Sequence, residues 1–546
     1  MADCGDFRPG LLAVAVVSIS TLPTVTPARS IADRIDEELA PLQTAVSRAW
    51  WDLNVEATEE NERRRVALER ELSDFLADAD RFAQIEAALP GAEGLEARRL
   101  GLLRDALLPR QVAAEVRQRI IEIEASVEMR FSTHRGEVGG RAVDDNGIKA
   151  ILRSSDDVAE RRAAWEASKT VGASVADDVR ALARLRNEAA RTLGYRDWFA
   201  LSVATSEMDE QRLFSTLDAC DRATAEPFAR WKAAVDECLA ERFGCPVADL
   251  RPWHYADPFF QEVPAEGGVD LDPVFAGRDL VELSRATFDG LGLETRAILE
   301  RSDLFPRDGK CQHAFCIDVD RAGDVRVLAN IVPDAYWMDT MLHELGHGVY
   351  DAGFDRSLPW LLRDCHLVVT EGIAILMGRL ASDAGWLEQV AGVGAAEAAR
   401  LAGPLRAARA AELLVFTRWV LVMTNFERSL YADPEMDLDA RWWELVQRYQ
   451  LVAPPDGRRA PDWAAKIHVA CAPVYYHTYL YGQLVASQLA GTLCRECGGI
   501  VGREAAGRLL RDRVFAPGLS LRWDRLLEQA TGEPLDPAHF VRDIAG

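Results

Sequence analysis

The run Thr340-Met341-Leu342-His343-Glu344-Leu345-Gly346-His347 places two histidines four residues apart, and Glu371 follows 24 residues after His347. On a helix, positions i and i+4 share a face. His343 and His347 can therefore aim both imidazoles at one metal ion, with Glu344 one residue-step around the helix and beside a water at that ion. Two neutral imidazoles do not close such a site. Glu371 stands in residues 368–379, which have helical apolar spacing, and a second helix antiparallel to the first would bring its carboxylate to the same ion. Three protein ligands leave a fourth position open, the arrangement of a catalytic rather than a structural zinc site. A core carrying these four polar groups with no metal would bury them uncompensated. The residues thus read as a zinc peptidase site: one Zn²⁺ on His343, His347 and Glu371, with Glu344 as general base and then acid.

Hydrolysis of a peptide also needs donors for the oxyanion and an anchor for the substrate. The segment from Lys466 to Gly482 is dense in suitable groups, among them His468, Tyr475, Tyr476, Tyr479 and Tyr481. Tyr476 and Tyr479 are three apart and would share a helix face. A tyrosine hydroxyl can donate to an oxyanion without carrying charge. Aromatics at helical spacing are also the usual content of a core, and Tyr475 and Tyr481 are read that way.

Helices must do the positioning. Residues 31–85 read as two long amphipathic stretches, 95–130 as a further helix, and 144–168 with 172–195 as a helical pair. Residues 209–243 form another, ended by Gly244 and Pro246. The stretch 246–276 is rich in Pro and Gly and reads as a loop lining a cleft. Strand signal is confined to 314–319 and 325–332, two β-rich runs joined by a turn and lying just before the zinc helix. An edge strand beside a peptidase cleft can pair with an extended substrate. Helices return over 395–430, 437–452, 473–494 and 502–513. The expected fold is mainly α: a large two-lobed helical metallopeptidase with a deep central cleft and a small β element beside the zinc helix. Residues 31–546 form the catalytic domain.

The chain has 546 residues, 49% hydrophobic and 27% charged, enough for a large core. Its formal charge of −24 argues against nucleic acid and against anionic membranes, which both need positive charge. Short peptides are the expected partners, and an acidic cleft would favour cationic ones. The ten cysteines lie mostly in apolar helical text and read as free thiols. Cys494-Arg-Glu-Cys497 has no second pair to complete a metal site. Residues 11–20 are apolar like an export signal, yet Asp3 and Asp6 precede them and no good cleavage site follows. Residues 1–30 are read as a loosely packed extension and the protein as cytoplasmic, with export the lesser reading.

Taken in order, the motifs resemble those of the angiotensin-converting enzyme-like zinc dipeptidyl carboxypeptidases, in particular bacterial members. The matching text is Asp257-Pro-Phe-Phe-Gln261, Gln312-His313-Ala314, the His343–His347 run, Glu371, Lys466-x-His468 and Tyr476-x-x-Tyr479. The resemblance implies that Tyr479 and His468 stabilise the oxyanion. It implies that His313 and Ala314 hold substrate backbone, and that Gln261, Lys466 and Tyr476 grip the peptide's terminal carboxylate. It also implies release of C-terminal dipeptides. Thr478 stands where animal members have arginine, which argues against a chloride site of that type, and the stretch from Lys466 to Tyr476 is one residue longer than in those members. The thimet-oligopeptidase family is similar too, so an oligoendopeptidase is the alternative enzyme. A catalytically silent peptide-binding protein on the same scaffold is the other class, and the intact Glu344 argues against it.

Overall fold

The computed structural model of the protein describes residues 30–264 and 269–545. The segment 1–30 lies outside these except for Ser30, which caps the first helix by accepting from Asp33 N at 3.0 Å. The architecture is mainly α, with two small antiparallel hairpins.

Helices α1 (Ile31–Val55), α2 (Glu59–Leu76), α3 (Ala79–Ala88) and α4 (Gly94–Leu107) open the chain, followed by α5 (Ala114–Thr133). The single helix expected over 95–130 is therefore broken. Pro109 lacks an N–H and disfavours helix at the residue before it, and a short 3₁₀ turn at Leu108–Arg110 intervenes. A hairpin that the sequence reading missed comes next, β1 (Gly136–Val138) with β2 (Arg141–Val143). Gly139 and Gly140 supply the positive φ values of +59° and +74° that a tight turn of this kind requires.

Helix α6 (Asp145–Ser154) and the 35-residue α7 (Val158–Thr192) replace the expected pair. The break falls at 155–157, where Asp157 accepts from the N–H groups of Ala159 and Glu160, rather than near Gly172. Gly172 instead permits a close approach: a Cβ there would lie 2.5 Å from Pro461 O. Then come α8 (Trp198–Thr205) and α9 (Glu210–Phe243), which Gly244 ends in the left-handed conformation as expected. Among its described residues, the loop-rich stretch after it carries short helical turns and α10 (Asp272–Phe275).

After α11 (Leu280–Leu291) and α12 (Arg296–Arg301), β3 (Phe315–Asp318) pairs antiparallel with β4 (Val325–Leu328), Cys316 opposite Val327. This is the β element read from the sequence. It leads into α13 (Ala335–Ala352) and α14 (Leu367–Gly378). The remainder is α15 (Ala384–Gln389), α16 (Ala395–Ala432), α17 (Leu438–Gln450), α18 (His468–Cys471), α19 (Tyr476–Cys497), α20 (Glu504–Leu510), α21 (Trp523–Thr531) and α22 (Ala538–Ala545).

One continuous apolar core runs from Ile123 to Phe540. A separate small core joins α1, α3 and α4 through Ile35, Leu39, Ile85, Leu100 and Leu103, closed by Leu361. The cysteines of the described residues form no disulfide, and no helix of the described residues is long and apolar enough to cross a membrane.

Candidate active site

Three helices build the centre, and glycines let them approach. A Cβ on Gly346 of α13 would lie 2.9 Å from Ala374 Cα of α14. One on Gly372 of α14 would meet Val485 of α19 at 2.5 Å, and one on Gly482 of α19 would meet Glu371 Cβ at 3.0 Å. At these spacings nothing larger than hydrogen fits between the helices, and α14 is held tightly between its neighbours. The start of α13 is fixed by Asp334, which accepts from Trp337 N at 2.8 Å. That of α14 is fixed by His366, whose Nδ1 accepts from Val368 N at 3.2 Å.

The result brings ligand atoms of His343, His347 and Glu371 within 4.8 Å of one another. His343 Nε2 lies 3.9 Å from a Glu371 carboxylate oxygen. Burial pushes His343 down to about 4, and burial with the neighbouring His343 pushes His347 down to about 3, so both rings are neutral with a lone pair to give. Burial and the Glu371 charge push Glu344 up to about 8. The four groups therefore share a half-buried site with acceptors and no cation among them. A divalent zinc ion fits that donor set in ligand type, number and charge.

Hydrogen bonds around the set orient it. With His347 Nδ1 donating to Thr370 Oγ1 at 2.6 Å, the Nε2 lone pair is left for the metal. Nearby, the Cys365 thiol donates to Asp351 Oδ1 at 3.8 Å. The main-chain amide of Cys316 on β3 offsets a little of the rise at Glu344. Thr370, Cys365 and Asp351 were not picked out from the sequence. The one available signal was Thr370's place one residue before the carboxylate ligand.

The ligand set stands between two cavities that share His343 and Glu371. One, of about 720 Å³, extends past Tyr479, Phe416 and Gln261 to the charged groups Asp339, Arg379, Arg409 and Glu412. The other, of about 470 Å³, runs along β3 from Ala314 to Asp318 and is walled on its far side by Gln43 and Ser47 of α1. Asp318 and Asp351 make it acidic, with burial pushing the Asp318 carboxyl up to about 6.

Of the residues singled out above, Glu344, Ala314, Tyr479 and Gln261 line one or other of these spaces. His313 precedes β3, is exposed, and lines neither. Lys466 Nζ donates to Gln261 Oε1 at 3.1 Å across 205 residues of sequence. It lies 5.5 Å from the ring centres of Phe259 and Trp419 and 5.7 Å from that of Tyr476. Burial pulls Lys466 down to about 8. His468 packs on Tyr476 with ring centres 4.9 Å apart, and Tyr476 packs on Tyr479 at 5.6 Å. Burial, and then the Lys466 charge, holds His468 at about 4, a neutral ring. Tyr481 is buried against Trp523, as a core residue should be. Tyr475 is half-buried and edge-on to Tyr479.

Two family models match the chain. One, described as peptidase family M3, covers residues 294–546. The other, described as angiotensin-converting enzyme, covers residues 23–228. A curated relative, angiotensin-converting enzyme of Sus scrofa, is 29% identical over 119 residues, which is 20% of this chain and 9% of that protein.

Proposed function

We propose, from the chain's similarity to zinc peptidases of the angiotensin-converting enzyme-like and M3 type, that it hydrolyses short peptides and releases dipeptides from their C-termini. His343, His347 and Glu371 would hold one zinc ion, which supplies Lewis acidity towards the attacking water and the scissile carbonyl. Glu344 takes the proton from that water and returns it to the leaving amine. The Tyr479 hydroxyl and the neutral His468 ring donate to the oxyanion as it forms. The strand at Ala314, with His313 before it, offers backbone groups to the extended peptide.

The observation that carries the dipeptide reading is the Lys466 ammonium. It is half-buried, bonds to the neutral Gln261 amide, and has no carboxylate partner among the described residues. A half-buried cation in this state can be completed by an anion from outside, and a peptide's terminal carboxylate, held by Lys466, Gln261 and Tyr476, supplies one. Such an anchor fixes the distance from the peptide's end to the bond that is cut.

The match of residues 294–546 to peptidase family M3 favours a second reading, an oligoendopeptidase resembling the thimet-oligopeptidase family. Digestion of a mixed peptide library, with products read by mass spectrometry, decides between the two. The dipeptidase reading expects dipeptide products and cleavage of C-terminal amides slowed by a factor equivalent to about 2–4 kcal/mol. Internal cuts at varied distances from the end, with acid and amide peptides cleaved alike, would establish the oligoendopeptidase instead.

A further inference from the structure

Gln261 ends a segment whose backbone is fastened on both edges. Asp257, 1% exposed, accepts three main-chain N–H groups on its carboxylate: Phe259 at 2.8 Å, Gln261 at 3.0 Å and Glu262 at 2.9 Å. The carbonyls on the other edge are taken by side chains from distant helices. Trp165 Nε1 and Lys169 Nζ of α7 donate to Pro258 O at 3.0 and 2.7 Å. Gln450, the last residue of α17 and 1% exposed, donates from its amide nitrogen to Phe259 O at 2.9 Å and to Phe260 O at 2.8 Å.

These bonds hold a conformation the chain would not adopt alone. Phe260 sits at φ +51°, a region that bulky side chains avoid. Its ring is buried, 4.4 Å from that of Tyr255 and stacked on Trp231. Phe259, one residue earlier, faces two ammonium groups: Lys169 Nζ at 3.2 Å from its ring centre and Lys466 Nζ at 5.5 Å. The segment therefore sets both the Gln261 amide that Lys466 bonds and one aromatic wall of the Lys466 pocket.

We propose that Asp257 and Gln450 are positioning residues for the peptide's C-terminal carboxylate, acting by locking residues 257–262 so that Gln261 and Phe259 hold Lys466 in place. The inference rests on the carboxylate reading of Lys466 given above. A buried carboxylate and a buried amide devoted to one strained loop are more than a loop fold alone requires, and that loop presents Gln261, with Glu262 beside it, to the cleft.

The zinc-loaded enzyme is assayed on one blocked tripeptide as the free acid and as the C-terminal amide, for the unaltered chain and for Lys466→Ala, Asp257→Asn and Gln450→Met. Loss of the charged acceptor in Asp257→Asn, or of the amide donor in Gln450→Met, should raise KM for the acid by about tenfold in each of these two variants, with kcat within about twofold. KM for the amide should stay unchanged, which also reports an intact fold. If Asp257→Asn does not accumulate as folded protein, Gln450→Met, similar in volume, decides by the same criterion. An unaltered chain that does not prefer the acid overturns the carboxylate reading and this inference with it. A preference that Lys466→Ala abolishes but Asp257→Asn and Gln450→Met both retain overturns the inference alone.

Discussion

The metal-ligand region and the Lys466 region meet at Gln261, which lines both the cavity beside His343 and Glu371 and a separate cavity that holds Lys466, and the two regions are assembled in opposite ways. The first is made of helices: two ligands four residues apart on α13 and one on the adjoining α14, locked by glycine contacts. The second joins a loop at 257–262 to Lys466, 205 residues away, through side-chain bonds to otherwise regular helices. The first lies wholly within residues 294–546, matched to peptidase family M3, whereas Gln261 falls between the two family matches. Chemistry shared by a family is carried by regular elements, and the feature that would set the product length is carried by an irregular one.

The largest test breaks the metal half. Glu344→Gln keeps size and polarity but cannot take a proton, and should lower kcat by about 10²–10⁴-fold while zinc content and peptide binding persist. Near-normal turnover would assign the base elsewhere. Next, if Tyr479 donates to the oxyanion as proposed, Tyr479→Phe should lower kcat by about 10²–10³-fold with little change in KM. A change confined to KM would make Tyr479 a binding residue and move it into the anchor half. Smaller again, Thr370→Val removes the hydroxyl that orients His347 and should weaken zinc affinity about 10–100-fold in a chelator competition. Unchanged affinity would mean that helix packing alone orients the ring. The smallest effect tests that packing: Gly346→Ala should cost about 1–3 kcal/mol from overpacking, outweighing a gain in helix propensity of about 1 kcal/mol. A melting temperature equal to or above that of the unaltered chain would show that α13 and α14 can yield.

The same contrast explains what could be read from the sequence. His343, Glu344 and His347 obey helical spacing, which is local, and the structure brings them together with Glu371 as that spacing expects. The β3–β4 hairpin was legible because β-rich runs flank a turn. The β1–β2 hairpin was not, since each strand has only three residues. The break expected between 168 and 172 is absent, since α7 runs from Val158 to Thr192, and Gly172 within it serves a close crossing at Pro461. Lys466, Gln261 and Tyr476 were visible through resemblance to a family, not through any spacing rule. Asp257, Gln450 and Thr370 act by contacts that tertiary structure alone creates. The segment read as a possible export signal lies outside the described residues.

The second, smaller core has a mechanical consequence. Helices α1, α3 and α4 pack on one another around Leu39 and Leu103, apart from the core that holds α13, α14 and α19. Yet α1 supplies Gln43 and Ser47 to the rim of the acidic cavity. The doorway and the hearth are thus built on different foundations. Local opening of the N-terminal layer would have to break its small core together with the contacts of Trp50 and Trp51 on Phe315 of β3 and the Arg48–Asp324 ion pair. Amide exchange in α1 should still outpace that in α14, which the large core holds.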